Sequence, residues 1–136
     1  MGPLPAWLEL HAIMNLPKQK FFDLAARMSR KSPSNPKLGC VIVKKNAVLS
    51  VGFNNMNKTH TKSNHPFKTL HSEIHALLGL DSKDTQGAVA YVYREIADGT
   101  AAMSKPCTSC MMALKIAGIK RVFYTTDGSW AVEEIK

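Results

Sequence analysis

Residues 106–125, PCTSCMMALKIAGIKRVFYT, decide the fold. Cys107 and Cys110 stand three apart at the head of a stretch, Ser109 to Ala117, that predicts a helix; Arg121 to Thr125 (RVFYT) follows as a β-branched and aromatic run that predicts a strand. Upstream, Ala88 to Tyr93 (AVAYVY) has the same strand character, with Arg94 to Lys105 as the intervening loop. Strand, helix, strand in that order predicts a parallel pair with a right-handed crossover. Further back, Leu38 to Val43 (LGCVIV) lacks polar alternation, as expected of a strand covered on both faces, and Lys44 to Asn46 turns it into Ala47 to Phe53 (AVLSVGF) as a hairpin. Lys18 to Arg30 (KQKFFDLAARMSR) spaces Phe21, Phe22, Leu24, Ala25 and Met28 at helical intervals, and Ser32 to Pro36 breaks it. The expected class is α/β, a three-layer α/β/α sandwich on a mixed sheet of four to five strands, as one domain over 1–136. The segment 1–16 is read as an N-terminal extension, in which Trp7, Leu8, Leu10, Ile13 and Met14 suit either a short amphipathic helix or a partly ordered terminus.

Composition narrows the function classes. The 136 residues are 45% hydrophobic, enough for a core, and no run of 18 apolar residues is present to span a membrane. No secretory signal is visible at the N-terminus. With three cysteines, two of them in the CxxC pair, the expected compartment is the reducing cytoplasm.

The chemistry is carried by two motifs. His71, Ser72 and Glu73 open the apolar stretch His71 to Leu80 (HSEIHALLGL), and Cys107 and Cys110 open the later helix. Side chains three apart at a helix start can reach one ion, and the positive end of the helix favours thiolates. His71, Cys107 and Cys110 therefore form a candidate Zn2+ site with three protein ligands. Such a site keeps a fourth position for water and lowers the pKa of that water to roughly 7. Glu73 does not belong to the ligand set and can act as general acid and base, and HxE followed by PCxxC is the general signature of zinc deaminases of nucleobases. Hydrolytic deamination is the implied reaction. A closed structural zinc would need a fourth ligand, for which His75 is the candidate, and a CxxC by itself is also compatible with a redox pair. Cys40 reads as a buried small hydrophobe.

The net charge of +8 is lopsided. Up to Lys68 the chain carries eleven Lys and Arg against Glu9 and Asp23; beyond it, seven bases face eight acids. The basic half includes Arg27, Arg30, Lys31 and Lys37, then Lys58, Lys62 and Lys68 in the polar stretch Asn54 to Thr69. Beside a nucleobase site, these lysines are candidates for holding a substrate phosphate.

Over Phe21 to Thr126 the chain resembles the cytidine and deoxycytidylate deaminase superfamily. Leu38 to Val43 is similar to its first strand, Gly52, Phe53 and Asn54 to its GxN turn, and Ala117 to Val122 to the AGIKxV stretch after its CxxC helix. The resemblance implies that His71, Cys107 and Cys110 bind zinc, that Glu73 is catalytic, that Asn54 contacts the sugar and that the Cys107 backbone N–H holds one end of the base. Ser72, where the family usually has Ala, joins Asn54 as a candidate substrate-facing residue. The resemblance leans to the deoxycytidylate branch. It implies conversion of deoxycytidylate to the uracil nucleotide with release of ammonia, by a homo-oligomer such as a dimer or hexamer. Two other readings remain: deamination of cytosine or adenine in single-stranded DNA, RNA or tRNA, and a zinc module without turnover.

Overall fold

The computed structural model describes residues 16–55 and 70–135; all of the N-terminal extension except Leu16, and Lys58, Lys62 and Lys68, lie outside them. In chain order the elements are α1 (Gln19–Ser29), β1 (Lys37–Lys44), β2 (Ala47–Phe53), α2 (Ser72–Leu77), α3 (Ser82–Thr85), β3 (Val89–Glu95), β4 (Ala101–Ala102), α4 (Thr108–Ile116), β5 (Arg121–Thr126) and β6 (Ser129–Glu134). The sheet runs β2-β1-β3-β5-β6, with β4 paired to β3 off that path. Among the described strands only β3 and β5 are parallel, Val89 opposite Arg121 through Val92 opposite Tyr124, so the strand, helix, strand expectation holds at the centre of the sheet.

Period-2 alternation sorts the core into two layers. Cys40 and Ile42 of β1, Ala90 and Val92 of β3 and Val122 of β5 face α2 and α4, meeting Ala76, Leu77 and Leu114. Their neighbours Val41, Val43, Tyr91 and Phe123 face the other way, against Phe21, Phe22 and Ala25 of α1. Tyr91 is the hub of that second layer, edge-on to Phe22 at 5.1 Å and stacked on Phe123 at 5.0 Å. The three layers are those the sequence implied. Cys40 is fully buried, as expected of a small hydrophobe.

Two glycines bring the helices down onto the sheet. A side chain on Gly39 would strike the Ala25 carbonyl of α1, and a Cβ on Gly52 would sit 2.5 Å from both Ala76 N and Ser72 O of α2. Gly52 thus sets how closely the helix bearing Glu73 lies on β2.

Several boundaries differ from expectation. Among the described residues the sheet has six strands, because β6 and the two-residue β4 extend it. The helix expected over His71 to Leu80 stops at Leu77: Leu78 is extended (ψ 132°) and Gly79 has φ 79°. The loop expected over Arg94 to Lys105 begins as strand, since Leu38 and Lys37 of β1 pair with Arg94 and Glu95, and Ala101–Ala102 folds back on the same residues. The Lys44 to Asn46 turn is observed, with Lys45 (φ 51°) and Asn46 (φ 65°) both in the left-handed region that a two-residue hairpin demands.

Candidate metal centre and its pocket

His71 is the N-cap of α2 and Cys107 the N-cap of α4. Side chains at and just beyond a helix start project past its end, so two helices approaching from the same face of the sheet aim three donors at one point. The ligand atoms of His71, Cys107 and Cys110 all lie within 4.8 Å of one another. His71 Nδ1 is 3.3 Å from Cys110 Sγ and 3.7 Å from Cys107 Sγ. One imidazole and two sulfurs at these separations are the donors zinc takes in tetrahedral sites, and they fit it. Among the described residues, no fourth His, Cys, Asp or Glu joins the group. His75 is turned away: its Nδ1 lies 3.0 Å from both the N–H and the carbonyl of Phe53, and its ring stands edge-on to Phe53 at 4.8 Å. A closed site completed by His75 is not what the fold builds.

Burial sets the electrostatics. Desolvation first, then the charges of Glu73 and Cys107, push the Cys110 thiol up. The end of α4 was expected from the sequence to favour the thiolates; for Cys110 burial acts in the opposite direction.

Glu73 is 3% exposed on the first turn of α2 and lines a pocket of about 290 Å³ together with His71, Cys107, Leu38, Asn54 and Arg94. The Ser72 hydroxyl donates to Glu73 Oε1, so this residue, expected to face substrate, spends its donor on the carboxylate beside it. Asn54 also lines the pocket, but its amide is a clamp. Nδ2 donates to the Pro36 carbonyl at 2.6 Å, and Oδ1 accepts the Leu38 N–H at 2.9 Å, fixing the start of β1 as one wall. Asn55 and Leu70 exchange backbone hydrogen bonds of 2.7 and 2.8 Å, which places Asn55 beside the residue that precedes His71.

Sequence reasoning treated 94–105 as a loop and missed what it contributes. Arg94, Met103, Ser104 and Lys105 all line the pocket. The Ser104 hydroxyl donates to the Val92 carbonyl at 2.9 Å and accepts the Thr125 N–H at 2.7 Å; the Thr125 hydroxyl donates to Ala102 O at 2.6 Å and accepts the Arg94 N–H at 3.2 Å. This fully satisfied network ties the segment to β3 and β5. The available signal was alternation: Arg94 is in phase with Ala90 and Val92.

Comparison with known proteins agrees with this geometry. The sequence model described as the cytidine and deoxycytidylate deaminase zinc-binding region matches residues 16–126. The deoxycytidylate deaminase of Mus musculus is 28% identical over an alignment covering 76% of this chain and 60% of its own, so the chain spans about 60% of the length of that relative. Among solved structures, the dCMP deaminase of cyanophage S-TIM5 in apo form superposes with a TM-score of 0.60 at 22% identity, covering 79% of this chain and 81% of its own. The cytidine deaminase of Burkholderia pseudomallei does so with a TM-score of 0.64 at 18% identity, covering 88% and 94%. At these identities the two structures speak for the fold. With the matched family region spanning β1 to β5, both metal-facing helices and the pocket, the chain belongs to the cytidine and deoxycytidylate deaminase zinc-binding family.

Proposed function

We propose that the chain is a zinc-dependent hydrolytic deaminase that converts a cytosine nucleotide, deoxycytidylate, to deoxyuridylate with release of ammonia. The observation that carries this is the buried Glu73, outside the three-donor group yet lining the same pocket as His71 and Cys107. His71, Cys107 and Cys110 would hold the metal, which supplies the acidity that makes water nucleophilic near neutral pH. Glu73 then has the proton work: its carboxylate takes one proton from the attacking water and delivers it to the ring nitrogen, then takes the proton of the newly formed hydroxyl and passes it to the amine, so that the carbonyl forms as ammonia leaves. Ser72 donates to one Glu73 oxygen and the Cys110 side chain also hydrogen-bonds the carboxylate, which holds it at the metal donors. Asn54 and the Cys107 N–H are placed in this reading against the sugar and the base, and Lys58, Lys62 and Lys68 against the phosphate.

No aromatic side chain of the described residues lines the pocket. Enzymes that splay single strands stack bases on aromatic rings, whereas here Phe53 packs on His75 and Trp130 on Phe123. That favours a free nucleotide over a polymer. Among the described residues no helix is long and apolar enough to cross a membrane, and all three cysteines are free thiols, which supports a cytoplasmic setting. The reading extends to a single catalytic domain assembled as a homo-oligomer.

The test is ammonia release by zinc-loaded protein given deoxycytidylate, deoxycytidine, adenosine or a cytosine-containing oligonucleotide. Turnover is expected with deoxycytidylate first. Turnover of the oligonucleotide alone, or of adenosine alone, would replace this assignment.

A further inference from the structure

We infer that Arg94 is the anion-binding residue of the pocket, taking a phosphate oxygen of the substrate whose base lies against Glu73. This rests on the deaminase reading above and goes beyond it by assigning the phosphate to a described residue on β3. Three observations converge. Arg94 is in phase with Ala90 and Val92 on the sheet face that packs against α2 and α4, so its side chain leaves the sheet on the side of the metal donors. It lines the pocket that holds Glu73, and with Pro36 it also lines the adjoining cleft of about 810 Å³, standing at the wall between the two. Its guanidinium has no protein partner among the described residues, and its Nε is buried with no hydrogen bond.

A guanidinium is rarely left so. A buried, charged N–H without an acceptor is costly, and native proteins satisfy nearly all such groups. The neighbouring bases are satisfied. Arg30 Nε bonds Glu95 at 2.9 Å, and Lys37 Nζ donates to the Ser32 carbonyl at 2.7 Å. Arg94 could not have been left open through floppiness, because its backbone is held in register by Leu38 on one side and Ala102 on the other, with its N–H on Thr125 Oγ1. A fixed backbone, an open planar fork and a path to solvent through the adjoining cleft suit bidentate capture of a phosphate. The nucleotide would enter base first, with its phosphate stopping at the wall.

The experiment uses the full, zinc-loaded chain and the variants Arg94→Gln and Arg94→Lys. Calorimetric binding of deoxyuridylate and deoxyuridine is measured beside kcat/KM for deoxycytidylate and deoxycytidine. Wild type should bind deoxyuridylate more tightly than deoxyuridine, and Arg94→Gln should shrink the nucleotide-over-nucleoside ratio by about tenfold to a hundredfold in both measurements, with Arg94→Lys between. Competition by a short oligonucleotide that also depends on Arg94 would assign the phosphate to a polymer. Equal binding of nucleotide and nucleoside by wild type overturns the inference, as does a ratio preserved in Arg94→Gln or lost only in proportion to all activity. If wild type turned over neither substrate yet kept Arg94-dependent binding of deoxyuridylate, the deaminase assignment would fail and the anion site would stand.

Discussion

Glu73 is the one carboxylate among the described residues lining the pocket, so no second carboxylate stands ready to replace it. Glu73→Gln keeps the shape and hydrogen-bonding capacity of the side chain while removing the base. The variant is expected to bind zinc with wild-type stoichiometry and to lose about 10³-fold in kcat, within the range typical of general acid–base groups; undiminished kcat would show that the proton travels elsewhere. The residues of this centre were legible in the sequence because the chemistry restricts their types: thiol, imidazole and carboxylate have few substitutes at a hydrolytic metal. Arg94 was not legible. An arginine just past AVAYVY looks like the start of a loop, and its alternation with Ala90 and Val92 counts only once the pairing of Leu38 with Arg94 shows that the strand continues. Asn54 was legible as a site residue, but its clamp on Pro36 and Leu38 depends on a fold-back that spacing alone does not reveal.

At the level of elements, the decisive contact is between α2 and β2 at Gly52. The atoms a methyl group would meet there, Ala76 N and Ser72 O at 2.5 Å, are backbone and cannot swing aside. Gly52→Ala should therefore lift α2 from the sheet, costing about 2–3 kcal/mol in denaturant unfolding, and separate His71 and Glu73 from the cysteine pair. A chelator competition titration should show weakened zinc retention in the folded variant; wild-type stability together with wild-type retention would show that α2 does not depend on this approach. Helix α1 was readable from the helical spacing of its apolar residues, strands β1, β3 and β5 from apolar runs that end up buried, and β2 from the turn that joins it to β1. The edge strand β6 was not, since its apolar stretch Trp130 to Val132 is only three residues long and Trp130 and Val132 are themselves exposed. Its signal lay in the turn: Asp127 and Gly128 connect Thr126 to its partner Ser129, the two-residue hairpin that Asp-Gly favours.

For the whole molecule, the metal donors couple binding to stability. A ligand that binds only the native state at a thousand times its dissociation constant adds about 4 kcal/mol. Zinc removal by a chelator should accordingly lower the calorimetric Tm by roughly 10–15 °C for a chain of this size, and an unchanged Tm would mean that the native fold does not bind the ion. The metal-free chain should also become alkali-sensitive. Burial raises the thiols of Cys40 and Cys110 above the ordinary value of 9.0. Their contribution is intact below about pH 9 and is lost as pH rises, because the unfolded thiols ionise while the buried ones resist. The expected slope is about 1.4 kcal/mol per pH unit for each thiol, and Cys40→Ala should remove one share of it. A profile flat from pH 8 to 10 would contradict that origin.

His71 and Cys107 are 36 residues apart, and β3 threads the middle of the sheet between them. An ion gripping both would act as a rivet across a long excursion of chain, and it could be set only after that central strand has found its neighbours. Metal capture would then timestamp the completion of the sheet, and zinc offered during renaturation would reward chains that have already threaded correctly.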